Sequence, residues 1–182
     1  MKILALFAPL VLLAAAAFQD AAEPAPPTVV FLLRHAEADG GTQGDRDPAL
    51  AEAGTERARE LARLLGVAGV THLFASEYQR TQLTLAPLAE ALEHEVVVLS
   101  ARDADAQIAA LRELPAGSVA VVAGHSNTVP QLAAKLGVTM RDTVEQQGYG
   151  TVLPHDAYDR IAEVILPAGG APARLVELRY GE

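Results

Sequence analysis

Arg34 and His35 stand directly after an unbroken apolar run, Val29–Leu33. His125 lies just beyond a second apolar stretch, Ser118–Ala123, and Arg80 a few residues beyond the short strand-like stretch Thr71–Ala75. These are the residues of the chain whose types and settings could do chemistry together. Guanidinium groups offer planar, paired donors that match phosphate or carboxylate oxygens, and they stay protonated. A neutral imidazole carries a lone pair that can attack phosphorus, and neighbouring positive charge favours that neutral form. A second imidazole could bind oxygens that gain charge as the reaction proceeds. The amides after His125, Ser126 first, would open a helix and add donors with a favourable dipole.

That chemistry requires three distant segments to meet at one place. The apolar run Thr28–Leu33 reads as a strand buried on both faces, Thr71–Ala75 as a second short strand, the Val-rich Glu95–Leu99 as a third and the apolar Ser118–Ala123 as a fourth. Between them lie helical spacings. Ala58, Leu61, Ala62 and Leu65 share one face, with Gly66 and Gly69 to close it. Leu85, Leu88, Ala89 and Leu92 share another, with Pro87 expected to kink it. Asp105–Leu114 is a third helix, and Val129, Leu132, Ala133 and Leu136 mark a fourth, capped by Thr128 and ended by Gly137. Gly150–Leu153, Arg160–Leu166 and Arg174–Tyr180 read as late strands added at an edge. Alternating strands and helices predict a mostly parallel sheet covered on both faces, an α/β/α sandwich. Such sheets bind ligands beyond the carboxyl ends of their strands, where both histidines and both arginines fall.

The chain has 182 residues and a net charge of −9, which argues against nucleic acid or an anionic membrane surface as a partner. It has no cysteine, so neither disulfides nor thiol chemistry are available. Lys2 followed by an apolar run to Phe18, with Ala15 and Ala17 at small-residue positions, predicts a signal peptide over 1–17. Residues 18–27, ending in the Pro-rich EPAPP, read as a linker, and 28–182 as one domain. The expected location is periplasmic or secreted, with no stable membrane insertion after cleavage.

The motifs LLRHAEA, SEYQRTQLTLAPLA and VVAGHSNT, in that order, resemble the signature segments of the histidine phosphatase superfamily, the phosphoglycerate-mutase-like fold, small phosphatase branch. DPALAEAGTERARELARLL resembles the stretch that follows its first motif, and LVELRYG gives a fainter echo near the end. The resemblance implies an α/β/α sandwich, a phosphohistidine on His35, and a phosphoryl group held by Arg34, Arg80 and His125. It implies no metal and no cofactor. The substrate would be a small-molecule or surface-exposed phosphomonoester.

A proton donor for the leaving group is harder to place. Larger relatives carry a glutamate on an insertion after the third strand, and here only SARDADAQ occupies that place. Glu77, beside Arg80, is the first candidate, followed by Glu37, Asp103 and Asp105. His72, His94 and His155 lack partners at metal spacing and read as surface or structural. Tyr78 and Tyr158 read as packing residues, and Asn127 either caps its helix or faces substrate.

Three alternatives accompany the exported phosphatase. A phosphomutase of the same superfamily would need a closing lid, for which the stretch between Arg80 and His125 leaves little chain. A non-catalytic phosphate-binding module would not need His35. A serine hydrolase built on Gly124-His125-Ser126 lacks the closing glycine of that elbow, because Thr128 stands there.

Overall fold

A computed structural model of the protein describes residues 24–40 and 46–181. The expected signal peptide over 1–17, the first part of the linker, and 41–45 of the loop after the first strand lie outside the described residues.

Strands β1 (Thr28–Arg34), β2 (His72–Ser76), β3 (Val96–Leu99) and β4 (Val119–Gly124) are parallel. Helices α1 (Glu52–Leu65), α2 (Gln79–Leu92) and α3 (Ala104–Arg112) connect them, and α4 (Thr128–Lys135) follows β4. Two later strands, β7 (Arg160–Leu166) and β8 (Arg174–Arg179), run antiparallel to their neighbours β1 and β7 and complete a six-stranded sheet of order β3-β2-β4-β1-β7-β8. The late strands therefore extend the sheet as expected. Gly150–Leu153 does not join them. Its counterpart β6 (Gly150–Val152) pairs with β5 (Val144–Gln146) in a separate hairpin. The sequence offered no separate signal for β5, whose three residues are all exposed.

Alternation along the central strands sorts the core into two layers. Val30 and Leu32 of β1, with Ala120 and Val122 of β4, pack on Ile108 of α3 and on Val129 and Leu132 of α4. Phe31 and Leu33, with Val121 and Ala123, pack on Leu61 and Leu65 of α1 and on Leu85 and Leu88 of α2. Burial on both faces explains why these strands are apolar without a polar alternation. β3 is different: Val97 and Val98 are about half exposed at the sheet edge, so its apolar run does not mark double burial.

Some local expectations shift. Helix α2 runs through Pro87 from Gln79 to Leu92. Thr128 is not the cap of α4 but its first residue, and the capping position is Asn127, which makes no side-chain cap bond. The Thr128 hydroxyl instead turns back to accept the His125 amide at 2.8 Å. A Cβ at residue 124 would lie 2.6 Å from that hydroxyl, which is why a glycine ends β4.

Gly54, near the start of α1, packs directly on the backbone of Glu37, leaving no room for a methyl group. Glu37 is two residues from His35, so this contact fixes how the chain leaves β1. We expect Gly54→Ala to lose about 1–3 kcal/mol of stability, the usual range for overpacking. Denaturant unfolding checks this; an unchanged midpoint would show that the chain after β1 yields freely.

Candidate active site

The parallel register aligns Arg34 with Gly124, so the next residues, His35 and His125, emerge side by side at the carboxyl edge. The His35 amide donates to the Gly124 carbonyl at 2.9 Å and continues the ladder by one step. The two imidazole centroids are 5.4 Å apart. α2 brings Arg80 to the same place, and its Nη2 donates toward His125 Nδ1 at 3.4 Å. Together with Tyr78 and Ser126, these groups line a cavity of about 520 Å³, within the range that holds small ligands.

His35 is buried, and its Nδ1 lies 2.7 Å from the Ala36 carbonyl oxygen. A carbonyl can only accept, so Nδ1 carries the proton and Nε2 is left with a lone pair. Burial, then the positive field of His125, Arg34 and Arg80, pushes the His35 pKa down to about 3, against the bond to Ala36. Burial, then Arg80 and Arg34, pushes His125 down to about 4. Both rings are neutral at neutral pH.

Arg34 is held in place by three partners. Nη1 donates to the carbonyls of His155 at 2.7 Å and Pro154 at 3.3 Å, and Nη2 to the Tyr158 hydroxyl at 3.0 Å. Its guanidinium also lies 3.9 Å from the centroid of the Tyr158 ring. Nε, although buried, has no hydrogen-bond partner among the described residues. A buried unpaired donor on a cation is costly, and an incoming anionic oxygen would satisfy it. Arg80 is held more loosely, 4.4 Å over the Tyr78 ring and 3.4 Å from an Asp47 carboxylate oxygen.

Sequence reasoning missed several supporting residues. Tyr158 is a partner of Arg34, and Tyr78 meets His125 edge-on at 5.1 Å, so neither is simple packing. Thr84 accepts the Ala36 amide at 2.9 Å and donates to the Arg80 carbonyl at 2.7 Å, tying the turn after β1 to the helix that carries Arg80. Ser76, at the end of β2, lies 2.9 Å from His125 Nε2. A hydroxyl at a strand end gives no distinct sequence signal. Ser126 and Asn127 both line the cavity, Asn127 with its side chain free of capping duty.

The acid candidates are placed elsewhere, which corrects the ranking that put Glu77 first. Glu77 is exposed, and its carboxylate accepts the Ala101 amide at 2.7 Å. Asp103 caps α3 by accepting the Ala106 amide, and Asp105 pairs with Lys135 at the surface. Glu37 is gripped by Arg57 at 2.7 Å. Burial works against its charge, but Arg57 outweighs this and holds the carboxyl below its ordinary range, hence ionised. None of the four lines the cavity beside His35. Of the three other histidines, His94 lies 3.2 Å from the Val70 carbonyl, and His72 stacks on Phe74. His155 serves through its backbone. Among the described residues no group of three His, Asp or Glu is placed to hold a metal ion.

The histidine phosphatase superfamily (branch 1) model matches residues 30–103, which include Arg34, His35 and Arg80. A probable phosphoglycerate mutase, GpmB, from Enterobacter sp. is 34% identical over 73 residues. That match takes in 38% of this chain and only 34% of the relative, so the chain spans about a third of its length. Among solved structures, the protein histidine phosphatase SixA complexed with tungstate superposes with a TM-score of 0.62 at 23% identity, over 83% of this chain and 96% of that one. A SixA-type chain from Nakamurella multipartitia gives 0.61 at 25% identity, over 88% and 100%. The mycobacterial glucosyl-3-phosphoglycerate phosphatase gives 0.59 at 17% identity, over 85% and 100%. The fold, the matched signature segments over 30–103 and two histidines meeting between two arginines make the chain similar to the histidine phosphatase superfamily.

Proposed function

We propose that this protein is an exported, metal-independent phosphatase that transfers the phosphoryl group of a phosphomonoester to His35 and then to water. One observation carries the reading: His35 is fixed with Nδ1–H on the Ala36 carbonyl, so Nε2 presents its lone pair beside two guanidiniums. In the first step the His35 Nε2–P bond forms while the bond from phosphorus to the leaving oxygen breaks. In the second, water attacks phosphorus and the N–P bond breaks back to Nε2. Arg34 and Arg80 hold the phosphoryl oxygens, both acting on the two rings as cations. The amide of Ser126 and the ring of His125 complete the cradle.

Hydrolysis is favoured over return of the group to substrate because α2, β3 and α3 use nearly all the chain between Arg80 and His125. Little remains to exclude water. A non-catalytic binding module would gain nothing from burying a neutral, oriented imidazole at the centre of the cradle. Export rests on the leader-like first 17 residues; mass spectrometry of protein recovered outside the cytoplasm should find the chain starting at Phe18.

Phosphate release from p-nitrophenyl phosphate in excess EDTA tests the chemistry. Wild type should turn over, and His35→Ala should lose activity to background. Arg34→Ala should lower kcat/KM by about 10²–10³-fold, the scale for removing a donor at developing charge. Acid quenching should trap an acid-labile phosphoenzyme in wild type only. Activity that survives in His35→Ala would end this reading.

The neutral rings also bear on stability. Each has a folded pKa far below its ordinary 6.5, so the unfolded chain binds more protons between these values. Stability therefore falls as pH drops below about 6.5, by about 1–2 kcal/mol per histidine down to about pH 5. Urea unfolding at the two pH values should show the drop, and His35→Asn should shrink it. Equal midpoints would mean that the rings are not held neutral.

A further inference from the structure

We infer that Ser76 and Thr81 form a one-way hydroxyl relay that fixes His125 with its Nε2 proton turned away from the cavity and its Nδ1 lone pair turned into it, making His125 the proton carrier of the reaction. This rests on the phosphatase reading above and supplies the proton donor that the four carboxylates do not.

The direction of the relay follows from its two ends. Thr81, fully buried in the first turn of α2, has its hydroxyl 2.7 Å from the Tyr78 carbonyl and 3.1 Å from the Ser76 carbonyl. Both carbonyls only accept, so a Thr81 proton given to either leaves Oγ1 free to accept. The Ser76 hydroxyl, 2.8 Å from Thr81 Oγ1, then donates to it, the direction that the Arg80 contact at the other ring nitrogen selects. Ser76 Oγ is thus an acceptor toward His125 Nε2 at 2.9 Å, and Nε2 carries the hydrogen. The Tyr78 amide, 3.4 Å from the same oxygen, agrees. At that other nitrogen, Arg80 Nη2 faces Nδ1, and a guanidinium can only donate. The Thr81 end permits and the Arg80 end selects one tautomer, opposite to that of His35.

The groups facing His125 are Arg34 and His35 from the end of β1, Arg80 and Tyr78 at the start of α2, and, around the cavity, Arg102 and Tyr149. Asp47 lies behind Arg80. In the empty site, burial and the two arginines keep Nδ1 bare. A phosphoryl dianion would set a full negative oxygen against that lone pair, whereas a monoanion brings its own proton. The balance is then complete. The phosphoryl O–H gives its proton to Nδ1. As the His35 Nε2–P bond forms, the leaving oxygen takes the bond pair and receives the proton from Nδ1. In the second step water gives a proton to Nδ1 while its oxygen bonds phosphorus and the N–P bond returns to His35. The proton then leaves with phosphate as its monoanion.

NMR of the full chain labelled with ¹⁵N-histidine tests the tautomer directly. His125 should show Nε2–H with a bare Nδ1, and His35 the reverse; Nδ1–H on His125 overturns the proposal. Kinetics test the proton. kcat/KM should fall as pH rises through the substrate's second phosphate ionisation, near 6, and that limb should move with substrates of different ionisation. Thr81→Val should lower kcat by about 10²-fold for an alkyl phosphate, within the usual contribution of acid–base catalysis, with KM little changed. The loss should be far smaller for p-nitrophenyl phosphate, whose leaving group needs no proton, and Thr81→Ser should restore both. Equal losses for the two substrates would mark a packing role only and overturn the relay. An active enzyme whose pH limb ignores the substrate overturns the proton role and leaves the phosphatase standing. An inert wild type with the His125 tautomer in place overturns the phosphatase reading and the proton transfer with it, while the relay geometry stands.

Discussion

The parallel ladder between β1 and β4 governs the rest of the structure. Its register ends with Arg34 opposite Gly124, and one further bond, His35 amide to Gly124 carbonyl, carries the pairing past both strands. Two imidazoles are thereby set 5.4 Å apart on backbone that is itself pinned, not on free loops. Everything else serves that junction. Gly124 is small so that Thr128 can fold back on the His125 amide. Thr84 ties the turn after His35 to the helix that bears Arg80. Gly54 and the Glu37–Arg57 pair brace the same turn from α1.

The electrostatics oppose those of the molecule as a whole. The chain carries −9, yet its cavity is lined by Arg80 and Arg102, with Arg34 acting on the same two rings, which burial keeps uncharged. The acidic groups nearest in sequence are engaged elsewhere: Glu37 by Arg57, Glu77 by the Ala101 amide, Asp103 by the start of α3. Glu37 and Asp156 temper the charge of Arg34 from a distance, and Asp47 reaches Arg80 at 3.4 Å. A local field of this kind draws anions even toward a molecule of like net charge.

Much of this was legible in the sequence, and the reasons are physical. Doubly buried strands show as continuous apolar runs, and amphipathic helices as repeated spacings. A polar residue directly after such a run sits at the end of a strand, so Arg34, His35 and His125, with Arg80 a few residues beyond another strand, fall at one edge of the sheet. What could not be read was partnership across the fold. Ser76, Thr81 and Thr84 are ordinary hydroxyl residues until their neighbours are known. Tyr158 joins the site through a segment more than a hundred residues from Arg34. Glu77 looked like an acid because it lies near Arg80 in sequence, but the turn between β2 and α2 directs its side chain toward the loop after β3.

The position of β1 in the sheet bears on how the molecule assembles. The first strand of the domain lies between β4 and β7, and its opening residue, Thr28, pairs with Leu166 near the far end of the chain. Both neighbours are synthesised long after it. Contacts of such sequence separation close slowly, so a chain emerging amino end first holds its most apolar strand unsatisfied until the final strands appear. The sheet therefore cannot shut around β1, nor His35 acquire its neutral burial, until nearly the whole domain has been made.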